Sequence, residues 1–217
     1  MAEETWSAVD DYLTDRLLTL DPTLEAALRA NREGGLPQID VSATQGKLLH
    51  LLAKLHGAKT ILEVGTLGGY STIWLARALP EDGHLTTLEL ESKHAEVARK
   101  NLDNAGIGTK VEIKVGPAAK TLPALQGPFD MIFVDADKPS NPIYWREALR
   151  LSRPGTLIIV DNVIRNGGVA DETSEDPGIL GTREMMALIH EEPRVEATAI
   201  QTVGSKGYDG FLLARVK

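Results

Sequence analysis

Cysteine is absent from the 217-residue chain. Disulfides, a thiolate nucleophile and a zinc-thiolate site are therefore excluded. Positive charge is scarce: 23 Lys and Arg stand against 31 Asp and Glu, a formal net charge of −8. A surface of that sign repels phosphate backbones, so a nucleic-acid partner is not expected beyond what a small basic patch could hold. Long apolar runs are missing too. The most apolar helical stretch, residues 48–55, is interrupted by His50 and Lys54 and is too short to span a bilayer. The opening residues Met1-Ala2-Glu3-Glu4-Thr5-Trp6 have neither the basic nor the apolar part of a signal segment, so the expected location is cytoplasmic, with no membrane partner. Repeats, low-complexity tracts and clear linkers are not found. What is present suits one globular domain over residues 1–217: 42% hydrophobic and 25% charged residues, enough to bury a sizeable core.

The pattern predicts a doubly wound, Rossmann-like α/β fold. Residues 1–40 read as a helical N-terminal extension, with two helices broken at Asp21-Pro22. Ser42-Ala43-Thr44-Gln45 has capping-box spacing and opens a helix that runs to about His56. Short apolar runs then alternate with amphipathic segments. Strands are expected at 60–64, 84–90, 111–115, 131–135 and 157–161, and helices at 69–79, 92–105, 118–124 and 140–151. Met131-Ile132-Phe133-Val134 and Leu157-Ile158-Ile159-Val160 show no alternation, so both faces must be covered, as in a mostly parallel sheet between helix layers. Residues 163–181 read as a long polar loop, followed by a helix over 182–190. Runs at 195–203 and 208–216, separated by a four-residue turn Gly204-Ser205-Lys206-Gly207, predict an antiparallel hairpin at the sheet edge.

Within that frame, Ile61-Leu62-Glu63-Val64-Gly65-Thr66-Leu67-Gly68-Gly69-Tyr70-Ser71 reads as a buried strand, a glycine turn and a helix start. Glu89 ends the next strand. Glycines let backbone approach a ligand closely, and a carboxylate takes ribose hydroxyls. The glycines fall as Gly-x-x-Gly-Gly, not Gly-x-Gly-x-x-Gly, which suits a nucleoside without a pyrophosphate. S-adenosylmethionine is the expected cofactor.

Two further strands end in acid, at Asp135 and at Asp161-Asn162. Ligands of open parallel sheets bind beyond the carboxyl ends of the strands. Neighbouring strands would bring these ends within about 5 Å. Two carboxylates and an amide oxygen form a hard-oxygen set suited to a divalent cation such as Mg²⁺, with Ca²⁺ or Mn²⁺ as alternatives. Taken singly, each Asp reads more readily as a strand-end turn cap than as a ligand; the pair together with Asn162 favours the metal. Lys138, three residues beyond Asp135, is either a solvated lysine or a proton acceptor.

These blocks resemble the cation-dependent, S-adenosylmethionine-dependent O-methyltransferases of the caffeoyl-CoA and catechol O-methyltransferase-like group. The resemblance runs from about Val41 to the C-terminus. It is carried by Leu62-Glu63-Val64-Gly65 with Gly69-Tyr70-Ser71, by Glu89, by Gly116-Pro117-Ala118, by Phe133-Val134-Asp135-Ala136-Asp137-Lys138 and by Val160-Asp161-Asn162-Val163. It implies a cofactor- and metal-binding core over 41–217. Glu63, Gly65 and Thr66 would shape the cofactor cleft, and Ser71 would bond the methionine carboxylate. Glu89 would hold the ribose, Ala118 would border the adenine, and Val41 would contact the methionine end. Asp135, Asp161 and Asn162 would hold the metal, Asp135 also lying near the methionine moiety, and Lys138 would act as base. The acceptor would be a small aromatic vicinal diol, and the assembly a homodimer. One departure stands out: related sequences often place a tyrosine closer to the lysine than Pro139-Ser140-Asn141-Pro142-Ile143-Tyr144 does. Two alternatives share the fold, a tRNA hydroxylated-base methyltransferase and a nicotinamide-dependent dehydrogenase. The acidic charge weighs against the first, and the glycine spacing and Asp161-Asn162 against the second. The five histidines match no block.

Overall fold

The computed structural model describes residues 2–217. Three helices, α1 (Ala2–Leu17), α2 (Pro22–Glu33) and α3 (Ala43–His56), precede the first strand. Alternation follows: β1 (Thr60–Val64), α4 (Tyr70–Ala76), β2 (His84–Glu89), α5 (Ser92–Asn104), β3 (Val111–Val115), α6 (Ala118–Thr121), β4 (Met131–Val134), α7 (Asn141–Arg150) and β5 (Leu157–Asp161). Helix α8 (Pro177–His190) leads to the hairpin β6 (Val195–Gly204) and β7 (Gly207–Val216). The seven strands lie in the order β3-β2-β1-β4-β5-β7-β6. The first five are parallel, and β7 and β6 are antiparallel. The chain winds outward from β1 to β3, then returns to the other side of β1 with β4. That reversal opens a crevice at the carboxyl ends of β1 and β4.

The unbroken apolar runs have the reason expected of them. Ile61, Met131, Phe133 and Ile159 point into one apolar layer, with Leu49, Ile73 and Leu75. Leu62, Val64, Ile132, Val134, Ile158 and Val160 point into the other, with Tyr144, Trp145 and Leu151. Every side chain of β4 is at most 2% exposed. Each such burial is worth about 1.5–3 kcal/mol, so register is held firmly, and with it the position of whatever follows each strand.

Two expectations are corrected. Helix α8 begins at Pro177, not 182, because Asp176 caps it: its Oδ1 accepts from the Gly178 and Ile179 amides at 2.7 and 3.0 Å. Asp-Pro is a start signal, outweighed on paper by Gly178 and Gly181. Gly181 serves packing instead: a Cβ there would lie 2.5 Å from the Lys138 carbonyl oxygen, so glycine lets α8 close on the turn that carries Lys138. The hairpin turn has two residues, not four, because Gly204 pairs with Gly207. Asp10 of α1 accepts from the Ser205 amide and hydroxyl at 2.8 and 3.0 Å, which ties the N-terminal extension to this turn. Among the described residues no helix is long and apolar enough to cross a membrane.

Candidate active site

The carboxyl ends of β1, β2, β4 and β5 surround a cleft of about 600 Å³. Gly65 makes the cleft possible. Its φ is +102°, and a Cβ would lie 2.0 Å from the Asp135 carbonyl oxygen, so only glycine lets the chain leave β1 against the end of β4.

Glu63 does not face the cleft. It is fully buried, and its carboxylate accepts from Ser71 Oγ at 2.6 Å, Thr72 Oγ1 at 2.5 Å and Thr87 Oγ1 at 2.7 Å. Burial pushes its pKa up to about 7, against the pull of those three hydroxyls and aided by the charge of Asp135. Glu63 thus fastens the first turn of α4 to β1 and β2. Ser71 reaches the cleft wall with its hydroxyl proton already given to Glu63.

Glu89 ends β2 with both oxygens held. Oε2 accepts from the Thr66 and Leu67 amides at 3.2 and 2.7 Å; Oε1 accepts from the Glu91 amide at 3.0 Å and lies 3.2 Å from His94 Nδ1. The glycine turn and the carboxylate are therefore one rigid unit. Glu89 lines the cleft together with Val41, Thr66 and Ala118. His94 is a cleft residue to which the sequence reading assigned no role. The available signal was its place in the first turn of the helix after an acid-tipped strand.

The second group of acids lies across the crevice. Lys138 Nζ donates to Asp135 Oδ1 at 3.0 Å, and its side chain is only 11% exposed, so it is not a solvated lysine. Asp161 is 4% exposed. Its Oδ2 accepts from Gln45 Nε2 at 2.6 Å and its Oδ1 from the Asn162 amide at 2.9 Å. Burial, then the charge of Asp135, raises its pKa to about 7. Asp135, Lys138 and Asn162 line the main cleft, whereas Asp161 lines an adjoining cavity of about 280 Å³ that shares Asn162. Gln45 is the residue missed. The capping box was visible, and Ser42 Oγ does accept the Gln45 amide at 3.2 Å, but the Gln45 side chain turns to Asp161, 116 positions away. Tyr144 lines the cleft and donates its phenol to Asp137; burial, then that carboxylate, pushes its pKa up.

The donors fit a hard divalent cation. Asp135 and Asp161 are close enough for one charge to raise the other's pKa, a repulsion that a cation relieves. The described residues contain no cluster of three His, Cys, Asp or Glu side chains that could hold a metal ion, so a third protein donor would be a neutral oxygen, for which the Asn162 amide is the candidate.

Comparison with known proteins agrees with this geometry. Residues 18–217 match the family model described as O-methyltransferase. A catechol O-methyltransferase of Niastella koreensis is 53% identical, with all of both chains covered. The crystal structure of an O-methyltransferase of Bacillus cereus in complex with SAH is 55% identical, covers 99% of this chain and 100% of its own, and superposes with a TM-score of 0.97. That of the O-methyltransferase TomG of Streptomyces achromogenes in complex with SAM, described as involved in tomaymycin synthesis, is 51% identical, covers 100% of this chain and 99% of its own, and has a TM-score of 0.97. With cleft, strand-end acids and relatives in agreement, the chain belongs to the S-adenosylmethionine-dependent O-methyltransferases, in the caffeoyl-CoA and catechol type.

Proposed function

We propose that this O-methyltransferase is divalent-cation-dependent and methylates one hydroxyl of a small aromatic vicinal diol. The observation that supports this most is the pairing of Lys138 with the half-buried Asp135, beside a buried carboxylate, Asp161, at the end of the next strand. Oxygen donors there match a cation better than any other ligand. Asp135, Asp161 and Asn162 would hold it, and it would lower the pKa of a phenol, which is otherwise about 10.

The remaining chemistry belongs to the chain. Gly65, Thr66 and Glu89 would hold the nucleoside end of S-adenosylmethionine, with Ala118 bordering the adenine. Ser71 and Val41 would hold the methionine end. In its neutral amine form Lys138 would take the phenolic proton, so that the oxygen attacks the sulfonium methyl directly, the S-adenosylhomocysteine thioether leaves and no covalent enzyme intermediate forms. Glu63 acts through Ser71 and α4. The rest is positioning of two reactants at attack distance.

The test is S-adenosylhomocysteine formation with catechol as acceptor, in Mg²⁺ and then with excess chelator. Activity should vanish on chelation, return with added Mg²⁺, and leave cofactor affinity by calorimetry largely intact. Undiminished turnover under chelation would remove the cation from the mechanism.

We also propose a cytoplasmic homodimer. Exposed Val9, Tyr12, Leu17 and Leu20 on and beside α1, with Leu51 and Leu55 on α3, support an apolar contact between copies. A monomeric mass in solution at micromolar concentration would refute it.

A further inference from the structure

We infer that Arg165 recognises a carboxylate on the methyl acceptor, so that an anionic aromatic diol is preferred to a neutral one. This rests on the acceptor reading above. The cleft is lined by five carboxylates, Asp40, Glu89, Glu91, Asp135 and Asp137, and by two Lys or Arg side chains, Lys138 and Arg165. Lys138 is committed to Asp135. Arg165 is held loosely: its nearest carboxylate oxygen, Asp209 Oδ2, stands 4.0 Å from Nη1, an ion-pair contact beyond hydrogen-bond range, and its Nε is buried without a hydrogen-bond partner. A guanidinium presents a planar fork of donors that matches a carboxylate. Leaving a buried donor unpaired has a cost, which a ligand bearing that group would remove.

The backbone holds Arg165 in place. Asn162, Arg165 and Asn166 all have positive φ, between 54° and 55°, a conformation side-chain-bearing residues seldom adopt. Asp209 Oδ1 fixes this turn by accepting the Ile164 and Arg165 amides at 2.9 and 3.0 Å. Strained backbone that is over-determined by its surroundings tends to mark functional sites.

Position selects the acceptor rather than the cofactor. A Cβ built on Gly178 would lie 3.3 Å from Lys138 Cβ and 3.9 Å from Arg165 Nη2, so the guanidinium lies near the turn that carries Lys138. It also follows Asn162 by three residues. Asp137 lines the same cleft, but its Oδ1 already accepts the Tyr144 phenol. An anionic acceptor entering this acidic cleft meets one cation that is only loosely ion-paired and whose guanidinium makes no side-chain hydrogen bond among the described residues.

The experiment compares kcat/KM for protocatechuate, which carries a carboxylate, with that for neutral catechol. Wild type, Arg165→Gln and Arg165→Lys are each assayed with saturating S-adenosylmethionine and Mg²⁺. Wild type should favour protocatechuate by about tenfold or more. Arg165→Gln should lower that ratio about tenfold, mainly through KM, and Arg165→Lys should restore part of it. A ratio that ignores both substitutions overturns the inference while the diol reading stands. So does an equal loss in S-adenosylhomocysteine affinity by calorimetry, which would give the guanidinium to the cofactor's own carboxylate. If wild type methylates neither compound, the diol reading fails and this inference fails with it.

Discussion

Strand β4 carries an aspartate just beyond each end, and the two are treated in opposite ways. Asp130, before the strand, accepts from the Lys59 and Thr60 amides at 2.8 and 3.0 Å, from Thr60 Oγ1 at 3.2 Å, and from Arg153. Burial alone would raise its pKa, but these partners outweigh that and hold it at about 2. Asp135, after the strand, has one cation, Lys138, and its charge helps to raise Glu63 and Asp161 to about 7 each. The amino end of the sheet satisfies its own acid. The carboxyl end accumulates acids that it does not neutralise. Groups of the first kind stabilise; groups of the second kind mark a site.

The comparison can be broken by exchanging the roles. Asp161→Asn should reduce methyl transfer about a thousandfold, the several kcal/mol expected of a lost cation site. The melting temperature should hold or rise, since a repelled buried charge is removed. A lowered melting point with activity retained would reverse the assignment.

Asp130→Ala should do the opposite. It strands two backbone amides and Arg153, at about 3 kcal/mol of unfolding free energy, while the folded enzyme keeps its kcat. The sign of the pH effect follows from a depressed pKa: the Asp130 contribution is complete above the ordinary 3.8 and is lost as pH falls toward 2. Acid unfolding of the variant should lack that component. Denaturant titrations between pH 2 and 5 would measure it.

Glu63 sharpens the contrast because its pKa is shifted upward. Its unfolded value is 4.5 and its folded value about 7, so its contribution is complete below 4.5 and fades as pH rises through 7. Stability should fall by roughly 2 kcal/mol between pH 5 and pH 8 from this group alone. Glu63→Gln should flatten that slope, as read by urea unfolding at the two pH values.

The smallest effect concerns Glu89, whose oxygens are already occupied by the glycine turn and His94. Glu89→Gln should weaken S-adenosylhomocysteine about tenfold by calorimetry, through the ribose. An unchanged dissociation constant would take the ribose away from this residue.

Much of this molecule was readable before any coordinates. The doubly wound sheet follows from apolar runs that do not alternate, and the cleft from glycines and acids placed at strand ends, all of which are local patterns. The start of α8 was hidden because local composition cannot register that the Lys138 carbonyl oxygen requires a missing Cβ at Gly181. The same limit hid Gln45, whose hydrogen bond spans 116 positions, and Arg165, whose buried Nε has no hydrogen-bond partner. Sequence alone determined which residues stand at the strand ends, because periodicity and turn chemistry act over a few neighbours. Only the tertiary structure decided which of those charges are answered, because strand order and register bring together groups that the chain keeps far apart.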